Sequence, residues 1–324
     1  MAVVGIDLGG TKISAAVFDE FGNVEKRDMR LLDGRTGDAV GELIAEIIRN
    51  LISQYTITGA GICVPGIVYS KKGTVWAPNI PGWENFPLKK YIADALGSSH
   101  VNIAIESDRT CYILGEKWRG AAKDCTDAIY IAVGTGIGAG ILIDGRVLHG
   151  SNDIVGATGW MALEPPYNKE FDQCGCFETY ASGNGIGYQA RKELAALKET
   201  VGSTKLSEIN SALRDKPVES VTSHDVFASY PSDPVAVKVL SKAVQMWGMG
   251  AANLVSLFDP QKIIFGGGVF GPAVQFIPQI YNEACKWGQP ISMQSVKFCA
   301  TEVQSDAALL GAAYLVLGKE FIQT

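Results

Sequence analysis

Residues 2–8 (Ala-Val-Val-Gly-Ile-Asp-Leu) form an apolar run that closes on an acid. Gly9-Gly10-Thr11-Lys12 follows, and a second apolar run spans Ile13 to Phe18. Two β-rich runs around a glycine pair predict a hairpin. Between residues 37 and 54, Val40, Leu43, Ile44, Ile47, Ile48 and Leu51 recur at three- and four-residue spacing, which predicts a helix with one buried stripe. Residues 59–65 predict a strand, and helices are expected over 85–96 and 108–120. A second strand–turn–strand unit follows: strand 128–133, the turn Gly134-Thr135-Gly136-Ile137-Gly138, and strand 139–143.

The polar stretch 190–235 reads as a cap or insertion, 234–257 as a long helix, and 262–265 as a strand entering Gly266-Gly267-Gly268. An Ala/Leu-rich helix is expected over about 306–318. Two similar units along one chain suggest two α/β lobes, drawn here as 1–117 and 118–324.

Composition narrows the class. The 324 residues are 47% hydrophobic and 19% charged, the balance of a globular protein, and suffice for two lobes. A net charge of −6 argues against a general nucleic-acid binder, which needs a basic face. No apolar run reaches the roughly 18 residues of a membrane span, and no secretion signal opens the chain, so a cytoplasmic location is expected. Seven cysteines, an odd number set mostly in apolar segments, predict reduced thiols.

Three glycine-rich turns follow strands, at Gly9-Gly10, Gly134 to Gly138 and Gly266 to Gly268. Glycine lets the backbone approach a polyphosphate and turn N–H groups towards it, and Thr11 and Thr135 add hydroxyls. One such turn could be a plain hairpin; three favour a nucleotide. None fits a Walker loop or a dinucleotide fingerprint. Asp7, at a strand end beside the first turn, could hold Mg2+ through water or simply stabilise the turn. Asp108 stands where an apolar strand hands over to a helix. There it is either a helix cap or the group that accepts a hydroxyl proton in phosphoryl transfer.

The run from Asp7 to Lys12 resembles the opening phosphate motif of the ROK family of sugar kinases and repressors, within the hexokinase–actin ATPase superfamily. The resemblance continues through Val64-Pro65-Gly66, Ala77-Pro78-Asn79 with Gly82-Trp83, Asp108 with Leu114-Gly115-Glu116, Gly134 to Gly140, Gly156 to Gly159, Cys176-Phe177-Glu178, Gly266 to Gly268 and Leu310-Gly311-Ala312-Ala313. It implies a two-lobed ribonuclease-H-like fold of actin/hexokinase type with a central cleft, the C-terminal helix returning to the first lobe. It implies ATP and Mg2+, a sugar or polyol acceptor and a homodimer. Asp108 matches the catalytic base; Gly9, Gly10, Thr11, Lys12, Gly134, Thr135, Gly136, Gly138, Gly266, Gly267 and Gly268 match the nucleotide side; Asn79 and Glu178 match sugar-binding positions.

The departures fall on the sugar side. The family's Gly-Glu-x-Gly-His is Gly156-Ala157-Thr158-Gly159-Trp160 here, Ser107 replaces the usual Asn, and Arg109 stands where a small residue is common. Of the family's zinc cysteines only Cys176 keeps its place, with Cys174 nearby, so no zinc is expected. Losing Glu and His contacts predicts an unusual acceptor, such as an aminosugar, a glycoside or a cyclitol. The competing expectations are a common hexose bound by substitute contacts, a sugar-binding pseudokinase or regulator without a DNA-binding segment, and a polyphosphate donor.

Overall fold

A computed structural model describes residues 2–97, 99–201 and 211–317. Strands β1 (Ala2–Leu8), β2 (Lys12–Phe18) and β3 (Val24–Leu31) form an antiparallel meander. Helix α1 (Asp38–Ile52) buries its predicted stripe and leads to β4 (Ile57–Val64), which pairs parallel with β1. A small hairpin of β5 (Ile67–Tyr69) and β6 (Thr74–Trp76) precedes α2 (Leu88–Leu96). Strand β7 (Asn102–Ser107) adds parallel to β4 and runs directly into α3 (Asp108–Arg119).

The second series begins with β8 (Ala128–Val133), β9 (Ile137–Ile143) and β10 (Arg146–Val147). Helices α4 (Cys176–Ala181), α5 (Gly183–Val201), α6 (Ser223–Ser229) and α7 (Pro234–Phe258) follow. The chain then runs through β11 (Lys262–Gly266), α8 (Ile277–Ala284), α9 (Pro290–Ser295), β12 (Lys297–Ala300) and α10 (Ala307–Leu317). The two sheets have the orders β3-β2-β1-β4-β7 and β10-β9-β8-β11-β12. Each therefore has its third, second, first, fourth and fifth strands side by side, so the internal repeat seen in the glycine turns is a repeat of topology.

The chain divides into two compact units: Met1–Tyr130 with Gly140–Gly156 and Thr301–Thr324, and Ile131–Ala139 with Ala157–Ala300. The sequence reading drew one cut at 117/118; in the structure residues 118–130 stay with the first unit. The end of α3 explains this. Glu116 is fully buried, and its carboxylate accepts from Ala121 N at 2.7 Å and pairs with the Thr301 hydroxyl. The Tyr112 and Tyr130 rings pack at 5.3 Å.

Within the first unit, α10 lies directly on β1, β4 and α3. Contact is backbone to backbone: a Cβ at Gly5, Gly61 or Gly115 would overlap the carbonyl oxygens of Leu309, Ala312 and Ala307 respectively. Glycines at these positions are what let the helix come so close. The core of this unit, including Val4, Ile6, Ile44, Ile48, Ile62 and Trp83, holds the ends of β1, β4 and β7 in fixed register.

Candidate active site

In the first unit, Asp7, Cys63 and Glu106 lie side by side across β1, β4 and β7. Asp108 begins α3 one residue beyond the end of β7. The helix cap is Ser107, not Asp108: the Ser107 hydroxyl accepts from Thr110 N at 3.4 Å and pairs with Thr110 Oγ1 at 3.2 Å. Ser107, expected to face the acceptor, is thereby committed to the helix start. Asp108 accepts through Oδ1 from Arg109 N at 2.8 Å, leaving Oδ2 without a protein partner among the described residues.

Burial pushes the Asp108 carboxyl up to about 6, helped by the nearby negative charge of Asp7 and opposed by the charge of Arg109. Loss of water also raises Asp7, against a hydrogen bond from the Cys63 thiol and the charge of Lys12. Sequence reasoning missed Glu106, which burial raises as well. It accepts from Ser107 N at 3.2 Å and lies 3.8 Å from His149 Nδ1. Its signal was available in the pattern: an acid directly after the apolar run Ile103-Ala104-Ile105.

The first glycine turn is closed by Gly9 N donating to Lys12 O at 2.9 Å, and Gly10, Thr11 and Lys12 are exposed. Asn79 is exposed beside it; a Cβ on Gly10 would meet Asn79 Cβ at 3.3 Å. The loop bearing Asn79 is anchored by Trp83, fully buried, whose Nε1 donates to Gly37 O at 3.0 Å and whose ring stacks on Phe86. Asp7, Asp108, the first turn and Asn79 thus all belong to one unit.

The second unit carries the other groups. The second turn is shorter than expected, because β9 starts at Ile137 and takes Gly138 into the strand. Gly134 N donates to Gly136 O at 2.9 Å, and Gly183 N to Gly134 O at 2.8 Å. Gly266 ends β11, and Gly267 has φ 89° with its backbone against Val133. Gly134 and Gly268 have no heavy atom within 4 Å of where a Cβ would stand. No packing contact explains glycine at either position. Both line a cavity of about 460 Å³, together with Thr135, Asn184, His224 and Phe227.

Glu178 stands in the first turn of α4, and its Oε2 accepts from Ile137 N at 2.6 Å. The same oxygen would lie 2.6 Å from a Cβ on Gly136 and 2.8 Å from one on Gly159. The carboxylate therefore holds the end of the second glycine turn and packs close to Gly159, a placement not visible in the sequence. Burial raises its pKa, and the bond from Ile137 opposes the rise. Glu178 also borders a cavity of about 690 Å³ lined by Lys169, Glu170, Asn184, Tyr188 and Arg191. Ala157 is half-buried and Trp160 is 57% exposed. Cys176 is buried, and Cys174 Sγ lies 3.4 Å from Thr179 Oγ1.

With the geometry in place, comparison with known proteins is decisive: the model of the ROK family matches residues 3–319. The chain belongs to the ROK family. It is 29% identical to a glucokinase of Halalkalibacterium halodurans, over 98% of this chain and 95% of that protein. It is also 29% identical to a beta-glucoside kinase of Listeria monocytogenes, over 99% of each. The crystal structure of a ROK family glucokinase from Streptomyces griseus, in complex with glucose and AMPPNP, superposes with a TM-score of 0.75 at 29% identity, covering 97% of this chain and 99% of that one. This ROK chain accordingly has the ribonuclease-H-like, actin/hexokinase-type fold expected from its sequence, and the repeated strand order is that fold's core.

Proposed function

We propose that this ROK protein is a carbohydrate kinase that transfers the γ-phosphoryl group of ATP to a hydroxyl of a sugar or sugar-like polyol, with Asp108 as general base. The observation that carries the assignment is Asp108 itself. Its carboxyl is relieved of capping by Ser107 and raised to about 6, so at neutral pH it is ionised yet basic enough to take a hydroxyl proton.

The nucleotide reading rests on the 460 Å³ cavity, whose open glycines Gly134 and Gly268 let N–H groups reach a polyphosphate, and whose Phe227 and His224 offer flat surfaces to a base. Gly9 to Lys12 would add further donors to the phosphates. The hard carboxylate oxygens of Asp7 suit a magnesium ion, which Asp7 would hold through water. When bound, Mg2+ neutralises charge on the polyphosphate. As the acceptor oxygen attacks phosphorus and the bond to ADP breaks, Asp108 takes the hydroxyl proton.

On the acceptor side, the exposed indole of Trp160 offers an apolar face, and Ala157 leaves room where the family carries a carboxylate. Asn79 supplies an exposed amide for hydroxyls. These residue types favour a substituted acceptor, such as an aminosugar, a glycoside or a cyclitol. The proposal extends to a homodimer, as the resemblance implies. ADP release from Mg-ATP, measured across hexoses, aminosugars, glycosides and cyclitols, tests the reading. Turnover highest on a substituted acceptor is expected. Turnover as efficient on plain glucose overturns the acceptor preference, and no turnover on any member of the panel overturns the kinase.

A further inference from the structure

Arg109 is a charged group that the mechanism above leaves unused. It occupies the second position of α3, immediately after Asp108, and is partly buried. Among the described residues its guanidinium makes no ion pair and no side-chain hydrogen bond. Its charge is nevertheless close enough to pull the Asp108 carboxyl downwards.

Two costs attach to this placement. A partly buried arginine gives up part of its hydration, and no protein group among the described residues offsets that loss. A positive charge in the first turn of a helix also opposes the helix dipole, which favours acids there. Five N–H donors in a rigid fork match an oxyanion, and such a fork is costly to leave unmatched. Both costs are relieved when an anionic group arrives beside Asp108.

We infer that Arg109 is a further catalytic residue, binding an oxyanion presented at the base. This rests on the kinase reading above. Two sources share the required chemistry: the phosphoryl group in flight, or a carboxylate carried by the acceptor sugar. Arg109 would stabilise charge on the first, or select for the second.

The test uses the full chain with Arg109→Ala and Arg109→Lys, assayed by ADP release on neutral sugars and on their uronic acids, with thermal midpoints recorded. If the oxyanion is the phosphoryl group, Arg109→Ala lowers kcat on every acceptor by about 10²-fold, the size of losing one positioned oxyanion donor. If it belongs to the acceptor, the loss is confined to uronic acids and lies mainly in KM. In either case Arg109→Lys recovers part of the loss, and the thermal midpoint of Arg109→Ala holds or rises. A merely structural arginine would lower the midpoint in step with activity, and that result overturns the inference, as does unchanged turnover on every acceptor. If the wild type turns over nothing, the kinase reading fails and Arg109 is judged by binding. About tenfold weaker affinity of Arg109→Ala for AMPPNP or for a uronate sustains its role, and equal affinities overturn it.

Discussion

The acid limb of activity follows directly from the surroundings of Asp108. The perturbation is pH itself. Burial raises the carboxyl from 3.8 to about 6, chiefly by removing water from the charged form. At pH 7 about nine-tenths of the enzyme then carries the base in its working, ionised form; at pH 5 only about one-tenth does. A carboxylate left at 3.8 would still be more than nine-tenths ionised at pH 5. The structure therefore predicts about a tenfold fall in kcat/KM between pH 7 and pH 5, read by ADP release at subsaturating acceptor. The sign for stability runs the opposite way. A raised carboxyl binds its proton more tightly in the folded chain, so Asp108 disfavours folding above pH 6, by about 3 kcal/mol, and that penalty fades as pH falls towards 3.8. A limb centred near pH 4, or a limb near 6 that survives in Asp108→Asn, would refute the reasoning.

Three substitutions separate packing from chemistry. Gly61→Ala sets a methyl against the Ala312 carbonyl, forcing α10 off β1 and β4, and should cost about 3 kcal/mol or more by urea unfolding; a loss below about 0.5 kcal/mol contradicts the docking. Gly268→Ala meets open space at an ordinary φ, so stability should hold within about 0.5 kcal/mol while KM for ATP rises about tenfold. Glu178→Ala strips the Ile137 N–H of its acceptor and should cost about 1–3 kcal/mol in thermal unfolding, whereas Glu178→Gln, which keeps an acceptor oxygen, should cost less than about 1 kcal/mol.

What the sequence disclosed and what it concealed divide along physical lines. The strands around Gly9 and Gly134, the stripe of α1 and the Ala/Leu-rich α10 were legible because apolar periodicity is a local signal. From the local pattern alone Asp108 was legible as a position but not as a role, since cap and base predict the same residue at a strand-to-helix junction; the family resemblance pointed to the base. The hydroxyl of Ser107 bonded to Thr110 takes the cap from Asp108, and the proposed role as base rests on the family resemblance. The 460 Å³ cavity was hidden for another reason. It unites Gly134, Asn184, His224 and Gly268, which lie far apart along the chain and come together only through the packing of α5, α6 and β11. The clamp of Glu178 on Ile137 spans 41 residues and left no local trace. The return of α10 to β1 and β4 spans most of the sequence and was expected only through the family resemblance, not from any local pattern.

The most direct measurement of the central claim is a comparison of Asp108→Asn with the wild type on whichever acceptor supports turnover, with acceptor and AMPPNP affinities determined for both. Asparagine keeps the shape and loses the base. The account predicts a fall in kcat of about 10²- to 10⁴-fold with both affinities preserved. Turnover within a few-fold of the wild type would show that Asp108 is not the base.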